Sequence, residues 1–162
     1  MSRRNTRNGM ARWCYSGYTL PLRFHQMPLL KRATAFDDAD WLFELKYDGY
    51  GALAVIEHGR AQLLSRNGHP FASFSGLAES ISDSLPNVRA VIDGEICSLD
   101  RRGRPQFKNL LFHRGNPPCF FAFDLLTCDG KDLRTERLLD RKTGASAAAG
   151  TGLRSAEIYR VH

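Results

Sequence analysis

The sequence predicts an α+β fold, antiparallel sheet with flanking helices, from three observations. Short apolar runs of strand length recur through the middle of the chain, each closed by a turn pair such as Asn-Gly or Asp-Gly. Between them Phe74, Leu77, Ile81 and Leu85 repeat at helical spacing. The 162 residues are 43% hydrophobic and 25% charged, enough apolar material for one real core.

Taken in order, residues 1–26 have no hydrophobic period and are expected to form a disordered basic leader. "FDDAD" suits a helix start or turn. Trp41, Phe43 and Leu45 alternate with Leu42, Glu44 and Lys46, which predicts a strand with Glu44 and Lys46 on one face, ended by Gly49. Ala52–Glu57 and Ala61–Arg66 flank "HGR" as a hairpin that closes at "RNG". The helix through Phe74 stops at Pro86-Asn87. Val88–Leu99 reads as a strand interrupted at Asp93-Gly94, and "DRRGRP" turns the chain. Phe107, Leu110 and Leu111 fit a short helix, and "CFFAFDLLTC" is a strongly apolar strand ended by Asp129-Gly130. "TERLLDRK" begins a helix with Thr135 as its cap. From 143 to 162 the residues are mostly small, starting "TGASAAAGTG", and a flexible tail is expected.

Charge is unevenly distributed. Residues 1–32 hold seven cations (Arg3, Arg4, Arg7, Arg12, Arg23, Lys31 and Arg32) and no acid, whereas 33–142 hold 14 basic and 16 acidic groups. The net charge of +6 therefore does not make the body a nucleic-acid-binding block. Any DNA binding by the leader would be sequence-blind and salt-dependent. No apolar run approaches the roughly 20 residues of a membrane span, and the polar start is not expected to be a signal peptide. Cys14, Cys97, Cys119 and Cys128 form no CxxC pair and have no histidine at metal-ligand spacing, the pattern of reduced cysteines in a cytosolic protein.

Four short stretches carry chemistry. In "ELKYDG" a lysine stands at the end of an apolar segment. A free lysine has a pKa near 10.4, and making it nucleophilic at neutral pH takes up to about 4 kcal/mol of burial or neighbouring cations. Asp48 works the other way, so it either holds the turn or acts in another step. "LSRNG" puts Arg66 at a turn, within reach of a phosphate or ribose, although most such arginines are surface residues. "VIDGE" sets Asp93 and Glu95 around a glycine, either as a β-bulge with solvated acids or as a hydroxyl acceptor or metal ligand. "FAFDLL" offers Phe123, a core aromatic or a stacking face for a purine.

In this order and spacing the four motifs resemble the adenylation (nucleotidyltransferase) domain of ATP-dependent DNA ligases, of the bacterial end-joining and repair type. The resemblance covers residues 27–142, and "QFKNLLFHRG" and "FDLLTCDGKDLR" read like that family's intervening segments. It implies a partial ligase-type domain with its C-terminal part missing. It implies Lys46 as the nucleophile that takes AMP from ATP, before AMP passes to a DNA 5′-phosphate and the strand is sealed. Glu44 and Leu45 would line the adenine side, Arg66 would meet ribose or phosphate, and Phe123 would stack on adenine. Glu95 would take a ribose hydroxyl or help hold Mg2+. The implied partners are nicked or broken double-stranded DNA and end-joining or repair proteins, with no membrane, in a bacterial cytoplasm near the nucleoid.

Two departures stand out. The family usually has arginine where this chain has Gly51, and the later Glu-Gly and lysine-bearing motifs do not occur after Lys142. The chain is therefore expected to be a weak or inactive form, with a sheet edge left open. A catalytically dead nucleotide-binding or interaction module remains a second reading. RNA ligases and capping nucleotidyltransferases share KxDG, but the "LSRNG" and "FDLL" wording favours DNA ligase.

Overall fold

The computed structural model describes residues 33–142 and the backbone of three short strands outside them. It divides into two units, Met1–Arg32 and Ala33–His162. In the first, β1 (Cys14–Tyr15) and β2 (Tyr18–Thr19) pair antiparallel. The expectation of a disordered leader otherwise lies outside the described residues, as does most of the expected tail.

The second unit is built on β3 (Tyr50–Glu57), β4 (Arg60–Ser65), β5 (Ala90–Cys97), β6 (Cys119–Cys128), β7 (Lys131–Asp132) and β8 (Ile158–Arg160). The order is β4-β3-β5-β6-β7, all antiparallel, with β8 also pairing β6. β3 and β4 are joined as the sequence predicts: Glu57 pairs Arg60, and His58 and Gly59 take φ of 51° and 69°, the two-residue turn that matches strand twist. β8 lies in the expected tail and pairs Cys119–Phe121, so that stretch of the β6 edge is covered rather than open.

α1 (Ser75–Ser84), entered through a 3₁₀ turn at Ala72–Phe74, covers one face of the sheet. Its Leu77 and Ile81 pack in one core with Ala52, Ala54, Ile56, Ile92, Ile96, Phe120 and Ala122. Each large side chain buried there contributes roughly 1.5–3 kcal/mol. α2 (Phe107–Leu111) adds Leu110 to the same core. The turn before α2 is tied by Asp100, whose Oδ1 accepts the N–H groups of Arg102 and Arg104 at 2.8 and 2.9 Å.

Three expectations fail. Residues 41–46 form no strand; they run as irregular chain, with Trp41 54%, Phe43 56% and Leu45 77% exposed. Alternation is not sufficient for a strand, which also needs a pairing partner, and residues 41–46 pair with no described strand. β5 runs unbroken through Asp93-Gly94, and the irregularity there is a shift of register with β6. A Cβ on Gly94 would lie 2.2 Å from the Phe121 carbonyl oxygen and 2.5 Å from the Phe120 ring, so glycine permits close packing here. Thr135 does not cap a helix, because Leu133 N–H still bonds Leu126 O at 2.9 Å and Arg134 is paired with Asp132 at 2.7 Å. The chain leaves the sheet only after that turn, and the helix starts at residue 138.

Candidate active site

Alternation sends every second residue of β5 away from α1, and the register lines these residues up with their neighbours. Gly51, Glu95 and Phe121 face one another across three strands, and Leu53, Asp93 and Asp124 form the next row. Of two register shifts between β5 and β6, the one at Asp93/Gly94 leaves Phe123 as an extra residue between Ala122, opposite Gly94, and Asp124, opposite Asp93. Such a bulge re-aims side chains. Here Phe123 and Asp124 both come to the face of Asp93 and Glu95, and Phe123 packs with Cys97, Leu99, Cys119 and Phe121.

The "ELKYDG" segment lies along this face. Tyr47 stacks on Phe121 with ring centroids 3.8 Å apart and 19° between planes, and on Phe123 at 6.3 Å and 21°. Gly49 sits so close to β5 that a Cβ would fall 2.1 Å from Ile96 O, and its N–H bonds the Glu95 carboxylate. Lys46 itself is exposed, near enough to Glu95 for its charge to act on that group.

Burial and like charge act together on the carboxylates of this face. Burial raises the Glu95 pKa, against the Gly49 bond and the Lys46 charge, and Asp48 and Asp93 raise it further. Asp93 is pushed up to about 6, mainly by burial and then by Asp124. Among the described residues no cluster of three or more His, Cys, Asp or Glu side chains could hold a metal alone. Cysteine chemistry is disfavoured: burial, then Cys119, pushes the Cys97 thiol up to about 12.

Of the predicted site residues, the structure gathers Glu95, Phe123, Glu44 and Lys46. Glu44 is tied to the Phe123 backbone through Lys142, whose ammonium donates to the Glu44 carboxylate and to Phe123 O. Arg66 is exposed in the turn just after β4, one residue past the Ala52–Ser65 pair and so in line with Gly51. Leu45, 77% exposed, stands away from the packed face. Sequence reasoning missed Tyr47, the Asp124–Arg141 pair at 2.7 and 2.8 Å, and Lys142. The "FDLL" motif could have pointed to Asp124. Nothing local could have linked Lys142 to Glu44, 98 residues away.

Residues 26–146 match the family model described as ATP dependent DNA ligase domain. The chain is 38% identical over 112 residues to the multifunctional non-homologous end joining protein LigD of Pseudomonas aeruginosa, covering 67% of this chain and 13% of that one. It is 30% identical over 139 residues to the bifunctional LigD of Bacillus subtilis, covering 75% and 23%. The ligase domain of Mycobacterium tuberculosis LigD superposes with a TM-score of 0.62 at 31% identity, over 71% of this chain and 39% of that one. A mycobacterial DNA ligase D solved with ATP and MES gives 0.61 at 33% identity, over the same 71% and 39%. The chain thus spans less than a quarter of these two LigD proteins and about two-fifths of the solved ligase chains.

Proposed function

Because the chain belongs to the ATP-dependent DNA ligase domain family, we propose that its exposed lysine, Lys46, is the nucleophile of a self-adenylation reaction. The neutral amine nitrogen attacks the α-phosphorus of ATP; a P–N bond forms, the P–O bond to pyrophosphate breaks, and one amine proton passes to solvent, to which Lys46 is exposed. The observation that carries this reading is the convergence of Glu44, Lys46, Glu95 and Phe123 on the sheet face opposite α1.

Each group has a part in that step. Phe123, partly exposed beside Tyr47, offers the adenine a ring to stack on. Glu44 serves the adenine edge, and Glu95 accepts a ribose hydroxyl or joins the ATP phosphates in holding Mg2+. When bound, the ion neutralises polyphosphate charge. Arg66 approaches from the β4 turn toward ribose or phosphate. The lysine does its work by position, since holding an attacking atom at a fixed point removes much of the entropic barrier. We extend the reading to transfer of AMP onto the 5′-phosphate of nicked or broken duplex DNA and to sealing of that strand, in end joining.

The test is incubation with ATP labelled at the α-phosphate and magnesium, followed by peptide mapping. One acid-labile, alkali-stable AMP on Lys46, absent from Lys46→Ala, is expected. Label that persists in that variant would overturn the assignment. ATP binding without label would favour a nucleotide-binding module instead.

A further inference from the structure

The Lys46 segment is tied to the sheet by side chains on either flank of its lysine. On one flank Tyr47 stacks over Phe121 and Phe123. On the other, Glu44 meets Lys142, which also donates to the Phe123 carbonyl oxygen. Phe123 is a bulged residue of β6, skipped by the register with β5. A bulge leaves backbone groups outside the ladder, and they must find partners elsewhere. The Lys142 ammonium supplies one, from a helical turn whose next residue inward, Arg141, is fastened to Asp124 by two hydrogen bonds. Lys142 has only 11% of its side chain exposed, so its charge has little freedom to turn toward water.

We propose that Lys142 is a positioning residue for adenylation. It clamps Glu44 to the β6 bulge, and so holds the chain carrying Lys46 over the ring wall formed by Phe121 and Phe123. The role rests on reading Lys46 as the nucleophile. Only Leu45 separates Glu44 from Lys46, so an anchor at Glu44 and another at Tyr47 leave the lysine backbone little room to wander. An ammonium suits this role because its three donors can serve a carboxylate and a carbonyl together, which a neutral side chain of the same length cannot do.

The experiment uses the full chain and two readouts. In Lys142→Met, amide hydrogen exchange across residues 41–48 should speed up about tenfold without nucleotide. Adenylation of Lys46 at saturating ATP should slow by tenfold or more, while Lys142→Arg stays within about threefold of the parent. Glu44→Gln, which releases the same clamp from its exposed end, should speed exchange in the same segment and serves if Lys142→Met does not fold. Unchanged exchange at 41–48, or faster exchange with an unchanged rate at saturating ATP, would overturn the proposal. An unlabelled parent chain would overturn the function reading and the role of Lys142 in it, whereas exchange would still decide whether the clamp exists.

Discussion

The two faces of the sheet are made from alternate residues of the same three strands, and they obey different rules. Toward α1 stand Ala52, Ala54, Ile56, Ile92, Ile96 and Phe120, all buried in one apolar core. Toward the lysine segment stand Gly51, Asp93, Glu95, Phe121 and Phe123, with two half-buried acids among the rings. The first face is optimised for burial. The second keeps charged groups where burial makes them costly, a pattern that clusters at functional sites. One strand therefore serves stability and chemistry at once, with its pleat as the partition.

The sharpest way to break this contrast is a pair of truncations on neighbouring rings. Phe120→Ala should cost about 3–5 kcal/mol, because the ring is fully buried in the α1 core. Phe123→Ala should cost less than half of that while abolishing most adenylate formation. Equal destabilisation of the two variants in urea melts would show that the faces do not differ as described.

Next in size is Gly94→Ala, whose added methyl meets Phe121 O at 2.2 Å and the Phe120 ring at 2.5 Å. The backbone of β5 must then move away from β6, at a cost of about 3 kcal/mol. A melting temperature equal to the parent's would mean that the close approach is absent.

Asp93 tests the site face from the opposite direction. Its pKa is raised from 3.8 to about 6, so between those values the folded protein holds a proton that the unfolded chain has released. Stability therefore falls as pH rises through that window. Asp93→Asn should flatten the slope between pH 4 and 6 and raise stability at pH 7.5 by at most about 3 kcal/mol. Urea midpoints measured across pH would check the sign, and a stability that rises with pH in the parent but not in the variant would reverse the argument.

The smallest effect is expected at Gly51, which the register sets opposite Glu95 on the site face. Gly51→Arg adds a cation beside the position proposed for the polyphosphate, and ATP affinity should rise about tenfold, equivalent to ~1.4 kcal/mol. Unchanged affinity in a folded variant would place the phosphates elsewhere.

Much of this was legible beforehand because it depends on neighbours along the chain. The hairpin at His58-Gly59, the helix from Ser75, the short helix at Phe107 and the long strand of "CFFAFDLLTC" follow from period and turn residues. The four motifs alone named the family and proposed Lys46, Arg66, Glu95 and Phe123. What stayed hidden depends on pairing. Residues 41–46 carry the period of a strand but pair with no described strand, which period cannot reveal. The bulge that brings Phe123 and Asp124 to one face is a property of two strands together, not of either alone. The joining of Lys142 to Glu44 spans 98 positions and uses one carboxylate and one carbonyl, groups that carry no local mark of their partner. Local preference is set by each residue and its neighbours. Register, edge occupancy and long-range ion pairing are set by which segments the core brings side by side, and for this protein those contacts decided how the lysine is held.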